Sequence, residues 1–344
     1  MHDLETRRVA GEIRERGSGR VLIQLPDGLR PRALSLAEDL ARLTGAEILL
    51  SGDSCYGACD LAVGQAKTLG ADLIVHYGHS GMLEDAETPV IYVEAKMYFD
   101  SEALVAAALP LIEGWGKIGL ASTAQHIHAL GEVAEALRRS GHQPVTGNSS
   151  WKALHDGQVL GCDYRTAQSI AEEVHGYLFV GSGRFHPIGL AIAAGKPVVT
   201  ADPYTMTAGV IDEKEIRRLA MRRMAAITAA KGARRIGVLV SLKPGQLKLN
   251  IARSLRERLE LRGKSTVIIC MDEIGEAQLG NFAEADAFIS TACPRIALEG
   301  VANIKKPILS PTEAEVMLGE KRWEDAWGQN YFSPHQLEPS IQKS

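Results

Sequence analysis

The sequence predicts an α/β protein of three related domains, each a four-stranded, mostly parallel sheet with flanking helices, in a pseudo-threefold arrangement around a central site. Two observations carry that prediction. Short apolar runs bounded by turn residues alternate with helical patterns, as buried parallel strands joined by crossover helices do. The runs also fall into three sets that keep step. The last run of each set opens with a near-identical phrase, TPV, KPV or KPI, at a spacing of roughly 107 to 110 residues. A single long doubly wound sheet would explain the number of strands but not this phasing.

The first set comprises RVLIQLP (20–26), AEILLSG (46–52), ADLIVHYG (71–78) and TPVIYVEA (88–95). The second comprises GKIGLAS (116–122), HQPVTG (142–147), GYLFVGSG (176–183) and KPVVTADP (196–203). The third comprises RRIGVLVS (234–241), STVIICMD (265–272), ADAFISTA (285–292) and KPILSPTE (306–313). The first run of every set feeds a polar loop and then an amphipathic helix, as in LPDGLRPRALSLAEDLARL and SLKPGQLKLNIARSLRERLELR. The expected domains are 1–105, 106–212 and 213–344, the last with a C-terminal tail. The segment DEKEIRRLAMRRMAAITAAKGARR carries acids at its start and bases at its end, which suits a helix dipole, and its bases read as a solvated end. The tail beyond about residue 318 looks irregular and is expected to cover a domain or contribute to a dimer.

Composition narrows the function classes. The 344 residues are 45% hydrophobic and 23% charged, a well-mixed globular balance long enough for more than one core. A net charge of −4 gives no electrostatic case for nucleic acid or an anionic membrane. No apolar run reaches the ~18 residues of a membrane helix, and the charged N-terminus lacks an apolar signal region. The expectation is a soluble cytoplasmic protein with neither nucleic acid nor membrane as partner.

Five cysteines, an odd number in such a chain, argue against a disulfide framework and leave metal binding, catalysis or burial. In open parallel sheets, functional residues gather beyond the carboxyl ends of the strands. Cys59 follows the second strand of set one, Cys162 the second strand of set two, and Cys293 the third strand of set three. Each domain therefore supplies one loop cysteine with small neighbours, which let the backbone approach a bulky inorganic ligand. Three thiolates with no nearby His or fourth Cys fit an iron–sulfur cluster with one open iron better than a closed zinc site. Cys270, inside VIICMD, reads as a small core hydrophobe, and Cys55 as the packed end of a strand.

LPDGL (25–29), CYGACD (55–60), HYGHSGM (76–82), GRFHPIGLA (183–191), DPY (202–204), ACPRIALEG (292–300) and PILSPTEAEV (307–316) together resemble the diphthamide synthase family in its archaeal form, the 2-(3-amino-3-carboxypropyl)histidine synthases. The resemblance covers nearly the whole chain and rests chiefly on CYGACD, HYGHS and GRFHP in combination. It implies a threefold arrangement of α/β domains and a homodimer. It also implies a [4Fe–4S] cluster held by Cys59, Cys162 and Cys293. The implied reaction is a transfer of the 3-amino-3-carboxypropyl group from S-adenosylmethionine to an imidazole carbon of a histidine in elongation factor 2. Reductive carbon–sulfur cleavage, fed by an external electron donor, would yield a 3-amino-3-carboxypropyl radical or its iron-bound equivalent. The compact CxxxCxxC loop of ordinary radical S-adenosylmethionine enzymes is absent.

Under this resemblance His79, Ser80, Arg184, His186, Lys243 and Gln246 become the candidates for contact with S-adenosylmethionine, each lying in a loop after a strand. His76 reads as a packed strand end. Arg295 reads as a balance for cluster charge or half of a surface ion pair. No residue is assigned as catalytic. Two other readings compete. A quinolinate synthase-like enzyme also presents three cysteines to a [4Fe–4S] cluster, there as a Lewis-acid dehydratase, but its motifs do not match CYGACD or HYGHS. A non-catalytic electron-transfer or scaffold subunit is the other.

Overall fold

The computed structural model describes residues 2–82, 87–150 and 152–332. Three separate sheets account for the strands among them. The first contains β1 (Arg20–Gln24), β2 (Glu47–Leu50), β3 (Leu73–Tyr77) and β4 (Val90–Val93), in the order β2-β1-β3-β4. The second contains β5 (Lys117–Ser122), β6 (Gln143–Thr146), β7 (Gly176–Val180), β8 (Val198–Asp202) and β9 (Thr207–Val210), in the order β6-β5-β7-β8-β9. The third contains β10 (Arg235–Ser241), β11 (Ser265–Met271), β12 (Ala287–Ser290) and β13 (Ile308–Leu309), in the order β11-β10-β12-β13. Every pairing is parallel except β8 with β9.

The burial of each strand follows its place in the sheet. The third strands β3 and β7 are buried at every residue, which is why GYLFV reads as an unbroken apolar run and LIVHY as one broken only by His76. The edge strands β2, β6 and β11 stay partly exposed. Cys270 departs from expectation for this reason: it is exposed on β11 rather than a core residue, because β11 pairs only with β10. The middle sheet also departs from the expected four strands. After β8 the chain turns through residues 203–206 and returns antiparallel as β9, Thr200 opposite Gly209.

Helices cover the sheets with their apolar faces. Ala33–Thr44 buries Leu36 and Leu40 against the first sheet, and Leu249–Glu260 buries Ile251, Ala252, Leu255 and Leu259 against the third. The expected boundary at residue 105 falls inside the helix Ser101–Ala108, whose Leu104, Val105 and Ala108 pack into the core of the second sheet. The tail also crosses over: Trp327, Tyr331 and Phe332 pack on the other core of the second sheet. Residues 333–344, the rest of the tail expectation, lie outside the described residues.

One charged contact ties these parts together. Glu313 is fully buried; it closes a capping box with Ser310 at the start of Pro311–Met317 and receives Arg223 Nε and an Arg223 terminal nitrogen, both at 2.7 Å. Tyr331 donates to the same carboxylate at 2.9 Å. The helix Glu213–Lys231, whose bases read from sequence as solvated, therefore sends Arg223 inward while the others mostly face water. Truncating one partner leaves the other charge buried and alone. Glu313→Ala should cost about 3–5 kcal/mol in urea unfolding followed by circular dichroism; an unchanged midpoint would show that the pair does not bear on stability.

Candidate functional site

In each sheet the first strand lies between the second and the third, so consecutive crossovers leave it in opposite directions. The crevice beyond the carboxyl ends of the first and third strands is where such sheets bind ligands. Loops from all three sheets line one cavity of about 620 Å³. Its walls include His79 and Ser80 after β3, Thr123 and Gln125 after β5, His186 after β7, Lys243 and Gln246 after β10, and Cys293 after β12. Cys59, beyond β2, and Cys162, beyond β6, complete it.

Each cysteine loop is held by its own contacts. Gln24, on β1, donates to the Asp60 carbonyl at 2.6 Å and accepts the Ala62 amide at 3.1 Å, fixing the turn that follows Cys59. Gly57 leaves room for that turn: a Cβ there would stand 3.3 Å from the Cys59 sulfur. Asp163 accepts the Arg165 amide and guanidinium and the Ser150 hydroxyl, closing the loop that carries Cys162. Cys293 sits immediately before the short helix Pro294–Glu299, its carbonyl accepting the Ile296 amide.

Gln246 joins two of these loops. Its side-chain amide donates to the Cys59 sulfur at 3.3 Å, and its carbonyl oxygen accepts the Cys293 amide at 3.2 Å. Its role is therefore to support the cysteines, with both ends of its amide engaged. Gly245 makes the approach possible, its amide donating to the Cys59 carbonyl at 2.8 Å. A Cβ on Gly245 would lie 2.6 Å from Cys59 Cα.

The three thiols are unfavourable places for negative charge. Burial raises each above the usual thiol range, Cys293 to about 12; the Cys162 sulfur raises Cys59 further, and Cys162 and Cys59 together raise Cys293. Lys248, at the start of Leu249–Glu260, faces the same three sulfurs; burial first, and then repulsion from Lys152, lowers its ammonium. Neither Lys152 nor Lys248 was expected from sequence. The signal was there in KPGQLKLN, where a second lysine follows Lys243 by five positions, and in the inserted loop NSSWKALHDG.

The other expected residues divide. His186 lines the cavity, its ring parallel to that of Phe179, and burial lowers it to about 4. His79 lines it too, bonded to His76 at 3.0 Å and lowered by burial to about 4. Ser80 donates to Glu94 at 2.7 Å and accepts from Gln158 at 2.9 Å, so its hydroxyl is already partnered. Lys243 ties the loops of the first and third sheets: it contacts Asp60 at 2.7 Å and Glu273 at 3.6 Å, above the ring of Tyr56. Burial alone would lower its ammonium, yet Asp60 carries it above the usual value, while for Asp60 burial outweighs the lysine and raises the carboxyl. Arg184 is the one expected residue not lining the cavity; it pairs with Glu215 at the surface. Arg295 pairs with Glu299 at 2.6 Å and lies over the Phe185 ring.

Fold and site together define a class: an α/β protein of three sheets whose switch points share one thiol-lined cavity. Comparison with known proteins is more specific. Residues 25–328 match the family described as "Putative diphthamide synthesis protein", and the chain belongs to that family. It is 38% identical to the 2-(3-amino-3-carboxypropyl)histidine synthase of Pyrococcus horikoshii, over 93% of this chain and 91% of that one. It is 30% identical to subunit 1 of the Gallus gallus 2-(3-amino-3-carboxypropyl)histidine synthase, over 98% of this chain and 82% of that one. A crystal structure of Dph2 from Pyrococcus horikoshii with a 4Fe-4S cluster superposes with a TM-score of 0.85 at 37% identity, covering 93% of this chain and 92% of that one. No helix among the described residues is long and apolar enough to cross a membrane.

Two outcomes test this geometry. Gly245→Ala should destabilise by about 1–3 kcal/mol in thermal melts, because the added carbon overpacks against Cys59; an unchanged melt would mean the loops separate freely. Acid should weaken the cluster-free protein. Unfolded imidazoles bind protons near 6.5, whereas His76, His79 and His186 resist until about 3 to 4. The unfolded state then holds more protons, so stability falls as pH drops from about 6.5 towards 4. His186→Asn should flatten that slope; a profile flat in the parent protein would contradict it.

Proposed function

We propose that this protein transfers the 3-amino-3-carboxypropyl group of S-adenosylmethionine to an imidazole carbon of a histidine in elongation factor 2, the first step of diphthamide biosynthesis. The observation that carries the reading is the meeting of Cys59, Cys162 and Cys293, one from each sheet's loops, on one cavity. These three are the proposed ligands of a [4Fe–4S] cluster. The donor set fits: three sulfurs with small neighbours and an amide hydrogen bond to one of them. Buried thiols that resist ionisation also need a cation before they can become thiolates, so assembly releases protons. Such a cluster, when bound, supplies the electron that cleaves the carbon–sulfur bond.

The chain's own groups do the rest. Lys152 on the cavity wall and Lys248 beside the sulfurs offset thiolate charge. Gln246 fixes the spacing of the Cys59 and Cys293 loops. The neutral His186 and His79 give the cavity polar edges without positive charge, suited to a substrate whose sulfonium is itself cationic. A cavity of this size lies within the roughly 300–1,000 Å³ usual for small-ligand sites. The division into three α/β units, the homodimer, the external electron donor and a cytoplasmic setting belong to the same proposal.

Anaerobic protein with dithionite, labelled S-adenosylmethionine and elongation factor 2 should pass label to the factor. Cys59→Ala, Cys162→Ala and Cys293→Ala should each lose iron, with a fall in transfer beyond the roughly 10- to 100-fold typical of outer-shell changes. Cluster without label transfer would point instead to Lewis-acid chemistry or electron transfer. Full transfer in a cysteine variant would overturn the assignment.

A further inference from the structure

Beside the three-cysteine centre lies a second set of metal-ligating side chains, of which His79 alone also lines the cavity. We propose that Cys55, His76 and His79 form a separate site for one borderline divalent cation, zinc or ferrous iron, with a coordination position left open. It shares no ligand with the three-cysteine centre.

The three donors come from two segments. Cys55 opens the CYGAC turn; His76 is on β3 and His79 lies just beyond it. Donor atoms of all three lie within 4.8 Å of one another. His76 Nε2 and His79 Nδ1 are 3.0 Å apart, close to the ~3.3 Å between two nitrogen ligands on a tetrahedral zinc with bonds of about 2.0–2.1 Å. A thiolate with two imidazoles is a donor set that favours zinc or iron over calcium or magnesium.

A second observation points the same way. The ring of His76 is fully buried, and its other nitrogen, Nδ1, lies 2.9 Å from Gln24 Oε1. The orientation of Gln24 is set independently, because its nitrogen donates to the Asp60 carbonyl and its oxygen already accepts the Ala62 amide. Oε1 can only accept, so His76 Nδ1 carries the hydrogen and Nε2 presents a lone pair towards His79 and Cys55. An outer carbonyl that fixes the ligating tautomer is the usual companion of a metal-bound histidine. Cys55 is buried as well, 5% exposed.

The binding step balances simply. The cation takes the two imidazole lone pairs and the Cys55 sulfur, the thiol proton passes to solvent, and no electron is transferred. The ion would clamp the segment before Cys59 to the end of β3, so that its occupancy sets how firmly the Cys59 loop is presented to the cavity.

The test uses the full chain with its iron–sulfur cluster assembled without oxygen, exposed to zinc(II) and then passed through a weak chelator. About one zinc per chain should remain beside the iron. Cys55→Ser and His79→Asn should each weaken zinc retention at least tenfold while iron content and far-ultraviolet circular dichroism stay unchanged. In the chain carrying Cys59→Ala, Cys162→Ala and Cys293→Ala together, cobalt(II) should give a thiolate charge-transfer band that disappears when Cys55→Ser is added. No retained zinc in the parent protein, or zinc and cobalt binding indifferent to Cys55→Ser, would overturn the proposal.

Discussion

Three half-buried thiols gathered where burial opposes their ionisation are the constraint around which the rest of this molecule is arranged. A buried sulfur that must become a thiolate needs positive charge close by, and Cys59, Cys162 and Cys293 cannot provide it for one another. Cys162 raises Cys59, and the two together raise Cys293. What surrounds them is consistent with a centre completed by a metal: Lys248 near the three sulfurs, an amide hydrogen bond from Gln246 to Cys59, and a cavity with an open side. A purely structural grouping of three thiols would call for none of these.

The architecture explains how residues more than a hundred positions apart reach one place. Each sheet reverses its direction of winding between its first and third strands, and each reversal leaves a crevice at the strand ends. Repeating the unit three times and facing the crevices inward turns three ordinary ligand positions into one shared cavity. Ties across the junctions then hold it: Gln246 between the loops of Cys59 and Cys293, Lys243 with Asp60, and Gln125 donating to the Gly78 carbonyl. Such ties matter because a cluster with one ligand from each unit is sensitive to any slip between them.

Much of this was legible in the sequence, for physical reasons that also mark the limits. Central parallel strands are buried on both faces, so their runs are unmistakable and their phasing exposes the repeat. β9 escaped because TAGV is short and only half buried, and its pairing with β8 depends on a turn rather than on pattern. Cys270 was misread because an edge strand can be as apolar as a central one. Arg223 was misread because helical spacing does not say which of several bases turns inward; that is decided by Glu313, ninety residues further along. Loop position drew attention to the three cysteines that share one cavity, yet it could not reveal that Gln246 would be occupied in supporting two of them, or that Arg184 would turn away to Glu215.

Anomalous scattering at the iron edge, from crystals grown without oxygen, tests the central claim most directly. The account predicts one iron cluster in the shared cavity, bounded by the sulfurs of Cys59, Cys162 and Cys293, with one iron bearing no protein ligand. Iron bound elsewhere, or a cluster leaving any of those three sulfurs uncoordinated, would contradict it.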